Sequence, residues 1–130
     1  MQREFRLKDE DLLDLTHFPI QAVFNMVDDE RFLRVINSVC EGVGFGEEYG
    51  ACTFPGDLDE YDIANGDSFE GVEFALYSGD EVIIDYQTLY HYLKKMCEGY
   101  SKKYPNTIKR LEDSLNKFIE LYNINRGMEI

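Results

Sequence analysis

The sequence predicts an α+β fold, a small antiparallel sheet with a central hairpin, packed by an N-terminal helix and two C-terminal helices. Three observations carry this reading. Apolar residues recur at helical spacing after Asp28 and in two stretches at the end of the chain. The middle alternates apolar and polar residues on either side of Ser78-Gly79-Asp80. Each helical stretch also carries a single apolar stripe, which a sheet with one wet face can cover on its other face. With 130 residues, 44% of them apolar and 14% aromatic, the chain is expected to form one domain, residues 1–130, around one core.

The elements follow in order. From Asp9 to Val27, Leu12, Leu13, Leu15 and Phe18 precede Pro19 and a run from Ile20, and the pattern fits a short helix or an extended segment. Asp28 or Asp29 can cap the next helix, with Glu30 favourable near its N-terminal dipole. Phe32, Val35, Ile36 and Val39 form its stripe, and Gly42 stops it. Ala51 to Phe54 predicts a short strand closed by Pro55-Gly56. Val72, Phe74 and Leu76 alternate with Glu73, Ala75 and Tyr77, and Val82-Ile83-Ile84 returns after the turn. Because Ile83 leaves the return strand apolar on both faces, that strand is expected to be the more central of the two. Asp85 caps a helix with Leu89, Tyr92, Leu93, Met96 and Tyr100 on one stripe. Pro105 ends it and starts another, striped by Ile108, Leu111, Leu115, Phe118, Ile119 and Tyr122.

Charge is unevenly placed. The net charge is −13, yet residues 35–93 hold thirteen acids and no Lys or Arg, which leaves thirteen acids against thirteen bases elsewhere. The stretch FPGDLDEYDIANGDSFEGVEF, Phe54 to Phe74, holds seven of those carboxylates. Such a field disfavours nucleic acid and anionic membrane and speeds encounter with a basic protein. The first ten residues lack the apolar core of a signal peptide, and no apolar run reaches bilayer length. Cys40, Cys52 and Cys97 are too few and too odd in number for a disulfide framework, so a cytoplasmic protein with reduced thiols is expected.

Four readings of the acidic stretch compete: a metal site, a catalytic carboxylate cluster, a solvated loop, and a surface for a cationic partner. A calcium loop starting at Asp57 would place Tyr61 fifth, Asp62 sixth and Ser68 twelfth, where the motif needs a ligand, glycine and a bidentate Glu. His17 and His91 have no Cys or His partner at zinc-ligand spacing. His91 is expected on the wet face of its helix and His17 bonded to its local backbone. Gly42, Gly44 and Gly46 follow a helix and precede a strand, the reverse of a phosphate loop, and Glu47 and Glu48 would repel phosphate. Carboxylates without basic neighbours to tune them make poor catalytic candidates. No enzyme activity, cofactor or metal is therefore expected. A solvated loop and an interaction surface both remain. The second is favoured by Phe54, Leu58, Tyr61, Ile63 and Phe69, apolar anchors interleaved with the charge.

The stretches DDERFLRVINSVCEGVGFGEEYGACTFP and FEGVEFALYSGDEVIIDYQTLYHYLKKMCEGYSKKYP resemble the immunity proteins of bacterial contact-dependent growth inhibition, in particular those paired with ribonuclease toxins. The shared features are the helix ending in Gly-Val-Gly-Phe-Gly, the Cys-x-Phe-Pro strand end, the Phe-Glu-Gly-Val-Glu-Phe strand and the Tyr-rich helix ending at Tyr104-Pro105, and the similarity spans Phe24 to Tyr122. The resemblance implies a cytoplasmic protein that binds and neutralises the C-terminal nuclease domain of a toxic effector, a basic partner. Asp57, Asp59, Glu60, Tyr61, Asp62, Asp67, Phe69, Glu70 and Glu73 are the expected contact residues, with Glu47 and Glu48 next. An acidic adaptor or nucleic-acid mimic for another basic partner is the alternative, and a small hydrolase would instead need a carboxylate-lined cleft.

Overall fold

Aspartates placed just before apolar-periodic runs set the main helix starts. In the computed structural model, which describes residues 6–64, 66 and 69–125 but not the side chains of Asp62 and Ile63, the Asp28 carboxylate accepts the Arg31 N–H at 3.0 Å and the Asp85 carboxylate accepts the Thr88 N–H at 2.7 Å. The elements are α1 (Phe18–Asn25), α2 (Asp29–Cys40), β1 (Phe45–Gly46), β2 (Gly50–Thr53), α3 (Glu60–Ala64), β3 (Val72–Leu76), β4 (Glu81–Ile84), α4 (Tyr86–Lys103) and α5 (Ile108–Tyr122). Gly42 ends α2 with φ +81°, the left-handed region that residues with a Cβ rarely adopt.

The four strands form one antiparallel sheet in the order β1-β2-β3-β4. The expected hairpin is present, but its return strand lies at the edge: β3 is the inner member, β4 the outer, and Ile83 is half exposed. An apolar residue on the wet face of an edge strand imitates the pattern of a central strand, which is why the sequence points the other way.

Cys52, Val72, Phe74 and Ile84 turn inward from the sheet and are buried. The helix laid across β2, β3 and β4 is α1, the segment whose sequence left its conformation open. Phe24 of α1 meets the rings of Phe45 and Phe74 at 5.6 and 5.5 Å. Behind this layer α5 packs against both α2 and α4. Buried Leu89, Tyr92, Leu93, Met96, Tyr100, Leu111 and Phe118 confirm the two C-terminal stripes, except that Ile108 at the head of α5 is exposed. Phe54, Tyr86 and Tyr122 stack where the strands meet the terminal helices, the two tyrosine rings 3.8 Å apart.

The helical half is tied by ion pairs and hydrogen bonds. Asp29 receives Arg6 and Lys103, each at 2.8 Å, and the Tyr104 hydroxyl at 2.9 Å. The Lys103 contact, then those of Tyr104 and Arg6, hold its carboxyl down at about 2. Arg6 also donates to the Val27 carbonyl and lies over the Phe32 ring at 4.3 Å. His17 is not bonded to its local backbone as expected: its Nδ1 lies 2.8 Å from the Tyr92 hydroxyl, which also accepts the Leu13 N–H. That contact joins residues 75 apart, so no local pattern announces it.

Candidate interaction surface

The sheet has two ends, each capped by connections between strands. Where β2 leaves and β3 enters, the 54–71 connection carries most of the acidic stretch. At the opposite end, the β1–β2 and β3–β4 turns meet, with the Tyr77 N–H donating to the Tyr49 carbonyl at 2.9 Å.

At the first end the predicted residues have different duties. Asp57 acts structurally, because one of its carboxylate oxygens accepts the Phe54 N–H at 2.7 Å and the Gly44 N–H at 3.0 Å, tying the end of β2 to the segment after α2. A Cβ on Gly44 would collide with the Cys52 carbonyl, so only glycine allows this approach. Asp59 and Glu60 are exposed at the entry to α3, and Tyr61 is 76% exposed. Asp62 has its backbone in α3, while Asp67 lies outside the described residues. Phe69 is half-buried and Glu70 exposed. Glu73 stands half-buried on β3, where burial and then the charge of Glu81 push its carboxyl up. Phe54 is a core residue, 1% exposed, and so does not offer a surface anchor.

The face of the sheet turned away from the buried residues links the two ends. It carries Ala51, Thr53, Glu73, Ala75, Glu81 and Ile83, all open to solvent at least in part. Ala51 and Ala75 pair across β2 and β3 in the row that ends at Glu81, and Glu73 stands in the next row as its diagonal neighbour.

At the turn end, Glu47 and Glu48 part company. The Glu47 side chain is only 4% exposed and its two oxygens accept from the two terminal guanidinium nitrogens of Arg31, Nη1 at 2.8 Å and Nη2 beside it. Glu47 raises the pKa of Arg31 chiefly through that hydrogen bond. Glu48 is exposed beside Tyr49, which is 63% exposed, while Tyr77 on the neighbouring turn is 71% exposed. Between the tyrosines lies a recess of about 350 Å³ whose other walls are Ala22, Met26, Leu76 and Ser78. Neither tyrosine is among the contact residues expected from sequence, although the alternation along β3 already places Tyr77 on the wet side with Glu73.

Among the described residues, no group of three or more His, Cys, Asp or Glu side chains is arranged to hold a metal ion, and no helix is long and apolar enough to cross a membrane. All three cysteines are free and buried, and burial pushes the Cys40 thiol up to about 12. His91 is half-buried rather than freely exposed; burial, then the neighbouring lysines Lys95 and Lys94, lowers its pKa.

A scan of protein families matches residues 16–115 to the family described as CDI immunity protein. No curated protein matches the chain. The matched span runs from the turn before α1 into α5 and takes in the whole sheet. The chain therefore belongs to the CDI immunity protein family, and its function is immunity against a contact-dependent growth inhibition toxin.

Proposed function

We propose that this immunity protein works in the cytoplasm, without catalysis of its own, by binding the C-terminal nuclease domain of its toxin, an RNA-cutting one, through the acidic surface of its sheet. The observation that carries the reading is the separation of charge. Residues 35–93, which run from the second half of α2 through the sheet and its connections into α4, contain thirteen acids and no Lys or Arg.

A ribonuclease needs a positive cleft to hold phosphates, and a rigid surface of carboxylates competes for that cleft. Electrostatic steering can raise association to ~10⁸–10⁹ M⁻¹s⁻¹ at low salt, fast enough to intercept a toxin soon after entry. Asp59, Glu60, Asp62, Asp67 and Glu70 supply charge from the connection, with Tyr61 and Phe69 as apolar contacts. Asp57 holds that connection in place, and Glu73 presents a carboxylate from the sheet. A toxin cation beside Glu73 and Glu81 would relieve the repulsion between them.

The test is RNA cleavage by the toxin domain encoded immediately upstream, with and without this protein. One equivalent of the wild type should abolish cleavage. The triple variant Asp59→Lys, Glu60→Lys, Asp62→Lys should bind at least about tenfold more weakly, chiefly through slower association. Unchanged affinity in that variant would move the interface off the connection.

A further inference from the structure

We infer that the recess between Tyr49 and Tyr77 is an anchor site that receives an arginine side chain of the toxin domain. The inference rests on the toxin-binding reading above and locates a contact on the turn end of the sheet, away from the acidic connection.

The chemistry of the walls selects the occupant. Ala22, Met26 and Leu76 make an apolar floor that suits the methylene stem of a long side chain. Tyr49 and Tyr77 are the two lining residues with large exposed rings, and aromatic faces attract a guanidinium more strongly than they attract a neutral group. Two exposed acids stand next to the recess: Glu48 lines the adjoining recess that shares Met26 and Tyr49, and Asp80 accepts the hydroxyl of the lining residue Ser78 at 3.2 Å. The neighbouring base, Arg31, lines that same adjoining recess of about 370 Å³, and Glu47 and Asp28 already pair with it. Its charge is thus largely cancelled, and a second guanidinium arriving next door meets acids. Lysine suits the acids but not the flat faces, because its ammonium is compact and strongly hydrated. Tyrosine and arginine are also the residue types that most often dominate interface energies.

The sheet ladder fixes the backbone that carries the two tyrosines before binding. Gly50 pairs with Leu76, and the Tyr77 N–H to Tyr49 carbonyl bond extends the ladder by one more residue. Binding then has to order the two tyrosine side chains but not the backbone beneath them.

Calorimetry against the upstream-encoded toxin domain tests this, using wild type, Tyr49→Ala, Tyr77→Ala, Tyr49→Phe and Tyr77→Phe, with thermal unfolding to verify folding. Each alanine variant should raise Kd about 10- to 100-fold, and each phenylalanine variant less than about fivefold, because the ring face survives. Toxin Arg→Ala and Arg→Lys variants should reveal one arginine whose loss adds nothing further on top of Tyr49→Ala, and lysine at that position should not restore binding. Three results would overturn the inference. Alanine variants that bind like wild type would remove the anchor while leaving immunity intact. Coupling to a toxin lysine or apolar residue instead would give the recess a different occupant. Self-association of this protein that Tyr77→Ala abolishes would make the patch a contact between two copies. If wild type itself fails to bind the toxin domain, the function proposed above falls, and this contact with it.

Discussion

The helical half and the sheet half handle charge in opposite ways. In the helices, acids and bases are balanced and joined: Asp29 gathers Arg6, Lys103 and Tyr104, Lys95 meets Asp11, and Lys109 meets Asp113 one turn along α5. In the sheet and its connections there is no Lys or Arg at all, and among the described residues Arg31 reaches it from outside to pair with Glu47 and Lys117 to pair with Glu41. A chain seeking only solubility has no need to sort its charge this way. Self-repulsion costs stability, so a segment that keeps thirteen acids without a Lys or Arg of its own, only some of them paired from outside, is more easily explained by what it meets than by what holds it together.

The difference can be broken experimentally, beginning with the largest effect. Phe54 sits inside the acidic stretch but belongs to the core, stacked on Tyr86 and Tyr122. Phe54→Ala should cost about 3–5 kcal/mol in denaturant unfolding, whereas Tyr61→Ala, seven residues on and exposed, should stay within about 0.5 kcal/mol. Equal costs would mean that the stretch is a single structural unit and not a core residue followed by a surface.

Arg31→Ala comes next, because it leaves the Glu47 carboxylate buried without its main partner. About 2 kcal/mol should be lost by the same measurement, a buried-pair loss reduced by the partial exposure of Arg31. The double variant Arg31→Ala, Glu47→Gln should recover part of the loss, since the uncompensated charge is gone.

Asp57→Ala should cost about 1.5 kcal/mol through its two backbone amides. If its effect on toxin affinity is matched by Asp57→Asn, which keeps an acceptor and drops the charge, the residue contributes charge to the interface. If only alanine weakens binding, it contributes position.

The smallest effect is one of pH. The Asp29 carboxyl is held at about 2 in the folded chain, against an ordinary value of 3.8, so its stabilising contribution is full above pH 4 and disappears as pH falls from 4 towards 2. Solvent screening at a side chain about one-third exposed reduces this to about 1 kcal/mol. Asp29→Asn should flatten that part of the stability-against-pH curve. A variant with an unchanged slope would show that the helical network contributes little.

Much of the fold was legible because local rules set it. Asp28 and Asp85 cap as their positions imply, Gly42 stops α2 in the only backbone region that favours it, and the β3–β4 hairpin follows its alternation. What stayed hidden depends on distant partners. A two-residue strand, Phe45–Gly46, exists only because β2 pairs with it, and the glycine run around it resembles a plain turn. The five residues of α3 lie in a polar stretch with no periodicity to reveal them. Within the candidate surface, sequence indicated the excess of acid but not its division of labour. Asp57 is occupied with backbone amides and Glu47 with Arg31, while Glu48 beside it stays exposed. The Tyr49–Tyr77 recess arises from two turns 28 residues apart in the chain, so composition alone could not find it.

The measurement that bears most directly on the central claim is calorimetric titration of the upstream-encoded toxin domain at 50 and 200 mM salt, with RNA cleavage followed in the same mixtures. Tight one-to-one binding that weakens steeply with salt, with cleavage lost, is the predicted result. Binding of equal strength at both salt concentrations would contradict the acidic-surface account and leave the segregated charge of the sheet half without a partner.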